Sequence, residues 1–158
     1  MPGKRQKRRP KKPEPEYYQI EVDNWDASYT FGANRSGKRF SEDYFESSYI
    51  FLNGKIVSPS LKKTDQARIM ISSDHKLKDC WEQPSMEKPA ELVGWITLLT
   101  DDSLLEFMVW LPPQSHQYVS SIAASGKIKY AWVYGTKLKY RQGQVYNLRI
   151  SSYLEEDD

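Results

Sequence analysis

The stretch from Tyr17 to Phe31, YYQIEVDNWDASYTF, decides the fold class. Tyr18, Ile20 and Val22 alternate with Gln19, Glu21 and Asp23, and Trp25, Ala27, Tyr29 and Phe31 alternate with Asp26, Ser28 and Thr30. Successive side chains of a strand point to opposite faces, so a period of two marks extended chain with one buried face. The apolar phase switches between Val22 and Trp25. Asp23-Asn24 suits a turn there, because short Asx side chains bond to nearby backbone. The expectation is two strands joined by a tight turn.

The same pattern continues outward. Tyr44–Leu52 is rich in aromatic and β-branched residues and runs into Asn53-Gly54 and then Lys55-Ile56-Val57. Asn-Gly tolerates the positive φ of a type I′ turn, so a hairpin is predicted at that pair, with Pro59 stopping its second strand. Ala67–Ser72 predicts a short strand. Leu92–Thr100 and Leu104–Leu111 predict an antiparallel, buried pair around Asp101-Asp102-Ser103, ended by Pro112-Pro113. One helix is predicted over about 115–125: Ser115 caps it, Tyr118, Val119, Ile122 and Ala123 form its apolar stripe, and Gly126 fits the C′ position. Ile128, Tyr130, Trp132 and Tyr134 then share one face as expected core, Gly135-Thr136 turns, Leu138 and Tyr140 continue the apolar face, and Gln142-Gly143 turns again. Tyr146, Leu148 and Ile150 alternate with Val145, Asn147 and Arg149. Eight or nine strands and one short helix predict a mainly β fold, an antiparallel β-sandwich or partly open barrel.

A chain of 158 residues fits one β-rich globular domain, 17–154, between a basic tail, 1–16, and an acidic end, 155–158. The net charge of +2 hides strong segregation. The tail carries Lys4, Arg5, Lys7, Arg8, Arg9, Lys11 and Lys12 against Glu14 and Glu16, and four prolines with no aliphatic residue after Met1. Such a segment has nothing to bury and reads as disordered. Residues 72–106 hold eight acids and three lysines, whereas 107–154 hold six basic residues and no acid. No apolar run reaches the ~18 residues of a membrane span, so no membrane association is expected.

The chain lacks a phosphate-binding glycine loop, a dinucleotide fingerprint and a nucleophile elbow. His75 and His116 sit in unrelated predicted segments with no second histidine at ligand spacing, and Cys80 is the single cysteine, expected to be a buried thiol. The carboxylate pairs Glu42-Asp43, Asp101-Asp102 and Asp23/Asp26 sit where turns want Asp. The expectation is therefore a non-enzymatic protein without cofactor or metal. Free Cys80 and the absence of an apolar leader point to an intracellular location, cytoplasmic, or nuclear in a eukaryotic source.

Binding is the better-supported class. Lys127 and Lys129 share one predicted strand face, and Lys137, Lys139 and Arg141 share one face of the next, so the two sets are expected side by side on one sheet surface. Like charges in register cost stability, and a phosphate backbone relieves that cost while releasing counterions. Tyr118, Tyr140, Tyr146 and Tyr153 are candidate stacking faces. The expected partner is nucleic acid, of undetermined type, or an anionic protein surface. The alternative is a protein–protein interaction module or assembly subunit, homo-oligomeric or with another partner, with Trp81 as its candidate anchor because it sits in a charged, Pro-interrupted segment.

Overall fold

A computed structural model describes residues 9–33, 44–81 and 92–153. Lys4, Arg5, Lys7, Arg8 and the acidic end lie outside the described residues. Among the described residues seven strands form one sheet: β1 (Pro15–Ala33), β2 (Tyr44–Ser58), β3 (Gln66–Ser73), β4 (Gly94–Leu98), β5 (Leu105–Leu111), β6 (Tyr130–Thr136) and β7 (Gln142–Ser151). The sheet closes into a barrel in the order β1-β2-β3-β5-β4-β7-β6. The fold is mainly β with one short helix, as expected, and of the two expected architectures it is the barrel, here closed, and not the sandwich. Six ladders are antiparallel, and β3–β5 is parallel, in contrast to the all-antiparallel expectation.

The expected turn at Asp23-Asn24 is a β-bulge. β1 runs through it as one strand of 19 residues, and its register against β2 shifts between Val22 and Asn24. An extra residue flips the alternation. Trp25 and Ala27 thereby keep the face of Leu52 and Ile50, their partners across the ladder. Asn53-Gly54 is no turn either. It lies inside β2, directly across from that bulge, and the Asn53 amide donates to the Asn24 side chain at 2.9 Å. Gly54 is needed for close approach: a Cβ there would lie 1.9 Å from the Glu21 carbonyl oxygen.

The barrel interior takes one residue in two from each strand. Tyr18, Ile20, Leu52, Ile69, Ile71, Ile96, Leu105, Phe107, Val133 and Val145 are all fully buried. Tyr18 packs edge-on against Phe107 at 5.3 Å, and its hydroxyl donates to the Thr136 carbonyl at 2.8 Å. Burial pushes the Tyr18 phenol up to about 12, with the Glu16 charge adding to the shift.

In β6 the interior face belongs to Ala131 and Val133, so Tyr130, Trp132 and Tyr134 lie half-buried on the outside. This inverts the expected face of the last hairpin. The interior is already filled by Tyr18, Phe107 and the isoleucines, so small residues fit there and large aromatics do not. The expected turn at Gly135-Thr136 is strand, and Gln142-Gly143 opens β7.

Helix α1 (Pro113–Ala124) starts earlier than predicted, with Pro113 in its first turn and no side-chain cap from Ser115. Proline at the first helical position loses no internal hydrogen bond. His116 and Ala123 are its buried residues, with Val119 and Ile122 packed partly against the core, and Tyr118 is exposed. Gly126 ends it at φ +69°, as expected.

Two glycines separate two physical roles. Gly54→Ala drives a methyl group into backbone and costs ~3 kcal/mol or more. Gly126→Ala meets no heavy atom within 4 Å and costs ~1 kcal/mol for its left-handed backbone. Urea denaturation of the two variants checks this order, and equal midpoints would refute it.

Candidate nucleic-acid interface

Closure of the barrel sets the root of the basic tail beside the β6–β7 connection. The Lys137 amide donates to the Glu14 carbonyl at 2.8 Å, and Pro15 then pairs with Thr136. Between these segments opens a cavity of about 440 Å³. Lys11, Lys12, Lys137 and Lys139 line it with Glu14, and Trp95 and Gln144 belong to the same lining. Trp95 of β4 and Gln144 of β7 are direct ladder partners, and Trp95 is 42% exposed. The Lys137 ammonium meets the Glu14 carboxylate at 3.0 Å. That bond holds the Glu14 carboxyl below its ordinary value and pushes the Lys137 ammonium up.

Arg9, Lys11 and Lys12 are exposed. Lys127 and Lys129 are exposed too, but they precede β6, whereas Lys137 and Lys139 follow it. A strand of seven residues separates the two sets by roughly 20 Å. The expected single surface of five charges therefore does not exist, because Lys127–Lys129 is a connection and not a strand.

Arg141 is not a free cation either. Tyr140 and Arg141 form a two-residue turn with φ of 54° and 67°. Lys139 and Gln142 flank it, exchanging bonds of 2.8 and 3.2 Å. The Arg141 guanidinium bonds the Leu99 carbonyl and the Asp102 carboxylate, and its own carbonyl accepts from the Leu98 amide. It ties the β6–β7 turn to the β4–β5 turn. Tyr140, expected to continue the apolar face, is instead 89% exposed at this strained position, with the Lys139 ammonium 5.7 Å from its ring centre.

Tyr146 was an expected stacking face, whereas its neighbours Tyr17 and Tyr134, and Trp132, were missed as site candidates. Tyr17 and Tyr134 are ladder partners with ring centres 4.6 Å apart, and Tyr134 and Tyr146 lie 6.0 Å apart. The Tyr146 hydroxyl donates to the Gln144 side chain at 2.6 Å. The Arg149 guanidinium covers Trp132 at 5.3 Å. No sequence signal shows these contacts, since they depend on which strands pair. Tyr118 and Tyr153 are exposed without joining this group. Trp81 is 75% exposed, and Cys80, expected to be buried, is exposed beside it.

His75 and His116, expected in unrelated segments, line one cavity of about 290 Å³ with Tyr29, Glu46 and Gln117. His116 is buried, and its Nε2 has no hydrogen-bond partner among the described residues. Among the described residues no three of His, Cys, Asp or Glu converge on a metal position. Comparison with protein-family models, curated proteins and solved structures finds no match to this chain.

Burial holds the His116 imidazole below its ordinary value of 6.5, although the Ile71 carbonyl pulls the other way. The unfolded chain thus binds a proton that the folded chain refuses, and stability falls as the pH drops below about 6.5. Denaturation midpoints between pH ~5 and ~7 test this. His116→Gln flattens that part of the profile, and an unchanged slope in the variant would assign the loss to other groups.

Proposed function

We propose that this chain is a noncatalytic nucleic-acid-binding protein whose phosphate site is the groove between the tail root and the β6–β7 turn. The observation that carries the reading is the convergence of Lys11, Lys12, Lys137 and Lys139 on one cavity that also contains an exposed tryptophan. Four ammonium groups and one carboxylate give the groove an excess of positive charge. Neutralising phosphates there releases condensed counterions, which is the main sequence-independent driving force of such binding. The basic residues Lys4–Arg9 extend the same charge along the chain. Exposed Cys80 has no partner cysteine in the chain, which suits a reducing, intracellular setting.

Salt dependence tests this. Full-length protein is titrated against labelled DNA and RNA from about 50 to about 200 mM salt. Replacing the four groove lysines by glutamine is expected to lower the slope of log affinity against log salt by roughly three. Replacing Lys127 and Lys129 instead changes affinity less than about twofold, since ~20 Å exceeds the screening length. No binding at low salt, or equal effects of the two variant sets, overturns the assignment.

A second reading rests on a different observation. β1 pairs with β6 only over Pro15–Glu21, so among the described residues no strand pairs the outer edge of Asp23–Ala33. That edge carries no Lys, Arg or Pro to guard it, and Trp25, Tyr29 and Phe31 are exposed. Antiparallel pairing with a second copy, centred on Ser28, sets Trp25 opposite Phe31 and Asp26 opposite Thr30, with no like charges meeting. This predicts a dimer that survives moderate salt and is lost in Phe31→Lys. Sedimentation equilibrium decides, and a monomer at all concentrations removes this reading.

A further inference from the structure

We propose that the groove continues onto a stacking platform for unpaired bases, so that the ligand is single-stranded nucleic acid. This rests on the phosphate site proposed above and names its substrate class. The connection is physical. Trp95 lines the groove, Gln144 is its ladder partner, and Tyr146 bonds the Gln144 side chain. Tyr146 leads to Tyr134, and Tyr134 to Tyr17, which is 67% exposed. The row crosses β4, β7, β6 and β1, four neighbouring strands of the barrel wall.

Neighbouring strands are ~4.8 Å apart, so the row spans roughly 14 Å. Charge lies at both sides of the row. Lys137 and Lys139 stand at the groove, and Arg149 lies over Trp132, the next outward residue of β6 before Tyr134. Glu14 is bonded to Lys137, Glu21 faces Tyr130 at the far end of β6, and the Glu16 carboxylate accepts from the Tyr17 amide at 3.0 Å at one end of the row.

Only an unpaired strand can use this surface. In a duplex each base face is covered by its neighbours, and the phosphates shield the stack from a flat wall. A single strand can splay its bases onto aromatic faces while its backbone follows the lysines, and stacking of this kind is tolerant of sequence. The aromatic residues stand on sheet, and their rings lean on one another, with the Tyr146 hydroxyl bonded to Gln144, so less ordering is left for binding.

Full-length protein is tested by anisotropy against a labelled oligothymidine of roughly 20 nucleotides and a duplex of the same length. Tyr17→Leu, Tyr134→Leu and Tyr146→Leu are each expected to weaken single-strand binding roughly five- to hundredfold. Duplex binding and the salt slope stay unchanged. Tyr17→Phe and Tyr134→Phe retain binding, because they keep the ring and lose only the hydroxyl. Thermal melts confirm folding, and Tyr17, the most exposed of the three tyrosines, supplies a variant that perturbs packing least.

Unchanged single-strand affinity in the Leu variants, alongside loss in the groove-lysine variant, overturns the platform and leaves the phosphate site standing. Equal affinity of the wild type for duplex and single strand also overturns it. Absence of any binding removes the phosphate site, and the platform with it.

Discussion

The outer surface of this protein depends on one ladder, the pairing of Pro15–Glu21 with Tyr130–Thr136 that closes the barrel. Closure makes the interior a fixed volume. Tyr18, Phe107 and the isoleucines occupy it, and over Tyr130–Tyr134 β6 contributes the smaller Ala131 and Val133. Its three aromatics must then lie outside. The same ladder carries Glu14 to Lys137 and sets Tyr17 on Tyr134. The groove and the aromatic row are therefore consequences of closure, not independent features. An open sheet would leave the tail root far from the β6–β7 turn.

Much of the architecture was legible from alternation. The β class, the pairing of β4 with β5, the helix and its Gly126 stop follow from period and end signals. Two turn signals misled in the same way. Asp23-Asn24 and Asn53-Gly54 both resemble turns, yet they face each other across one ladder. A bulge and a turn both need residues that tolerate unusual backbone, so composition alone cannot separate them. The distinguishing fact is the close approach of Gly54 to the Glu21 carbonyl, and that belongs to tertiary structure. The parallel β3–β5 ladder was hidden for a similar reason, since it joins strands far apart in the chain.

The candidate site was legible only as a list of charges. Lys11, Lys12, Lys137 and Lys139 do converge, but Lys127 and Lys129 do not join them, and Arg141 is spent on the Leu99 carbonyl and Asp102. Strand alternation treats every basic residue near a hairpin as a surface charge. It cannot know that residues 127–129 lie outside the strand, or that a left-handed turn at Tyr140-Arg141 aims one side chain inward. The aromatic row was less legible still. Tyr134 alternates with small residues, and alternation normally assigns the larger side chain to the core. Only the volume of the closed barrel reverses that preference.

Glu14 occupies the groove as an internal anion, and its pairing with Lys137 has two separable parts. The carboxylate–ammonium contact is exposed, so salt screens it and it contributes little to folding. The bond from the Lys137 amide to the Glu14 carbonyl belongs to the backbone and begins the closing ladder. On the proposed reading, a phosphate arriving at Lys137 exchanges with the carboxylate alone. The backbone bond remains, the barrel stays closed, and Tyr17 stays on Tyr134. On that reading ligand and acid trade places while the Tyr17–Tyr134 contact is kept. The cost of that exchange is small because the displaced carboxylate moves into water, where it is fully solvated.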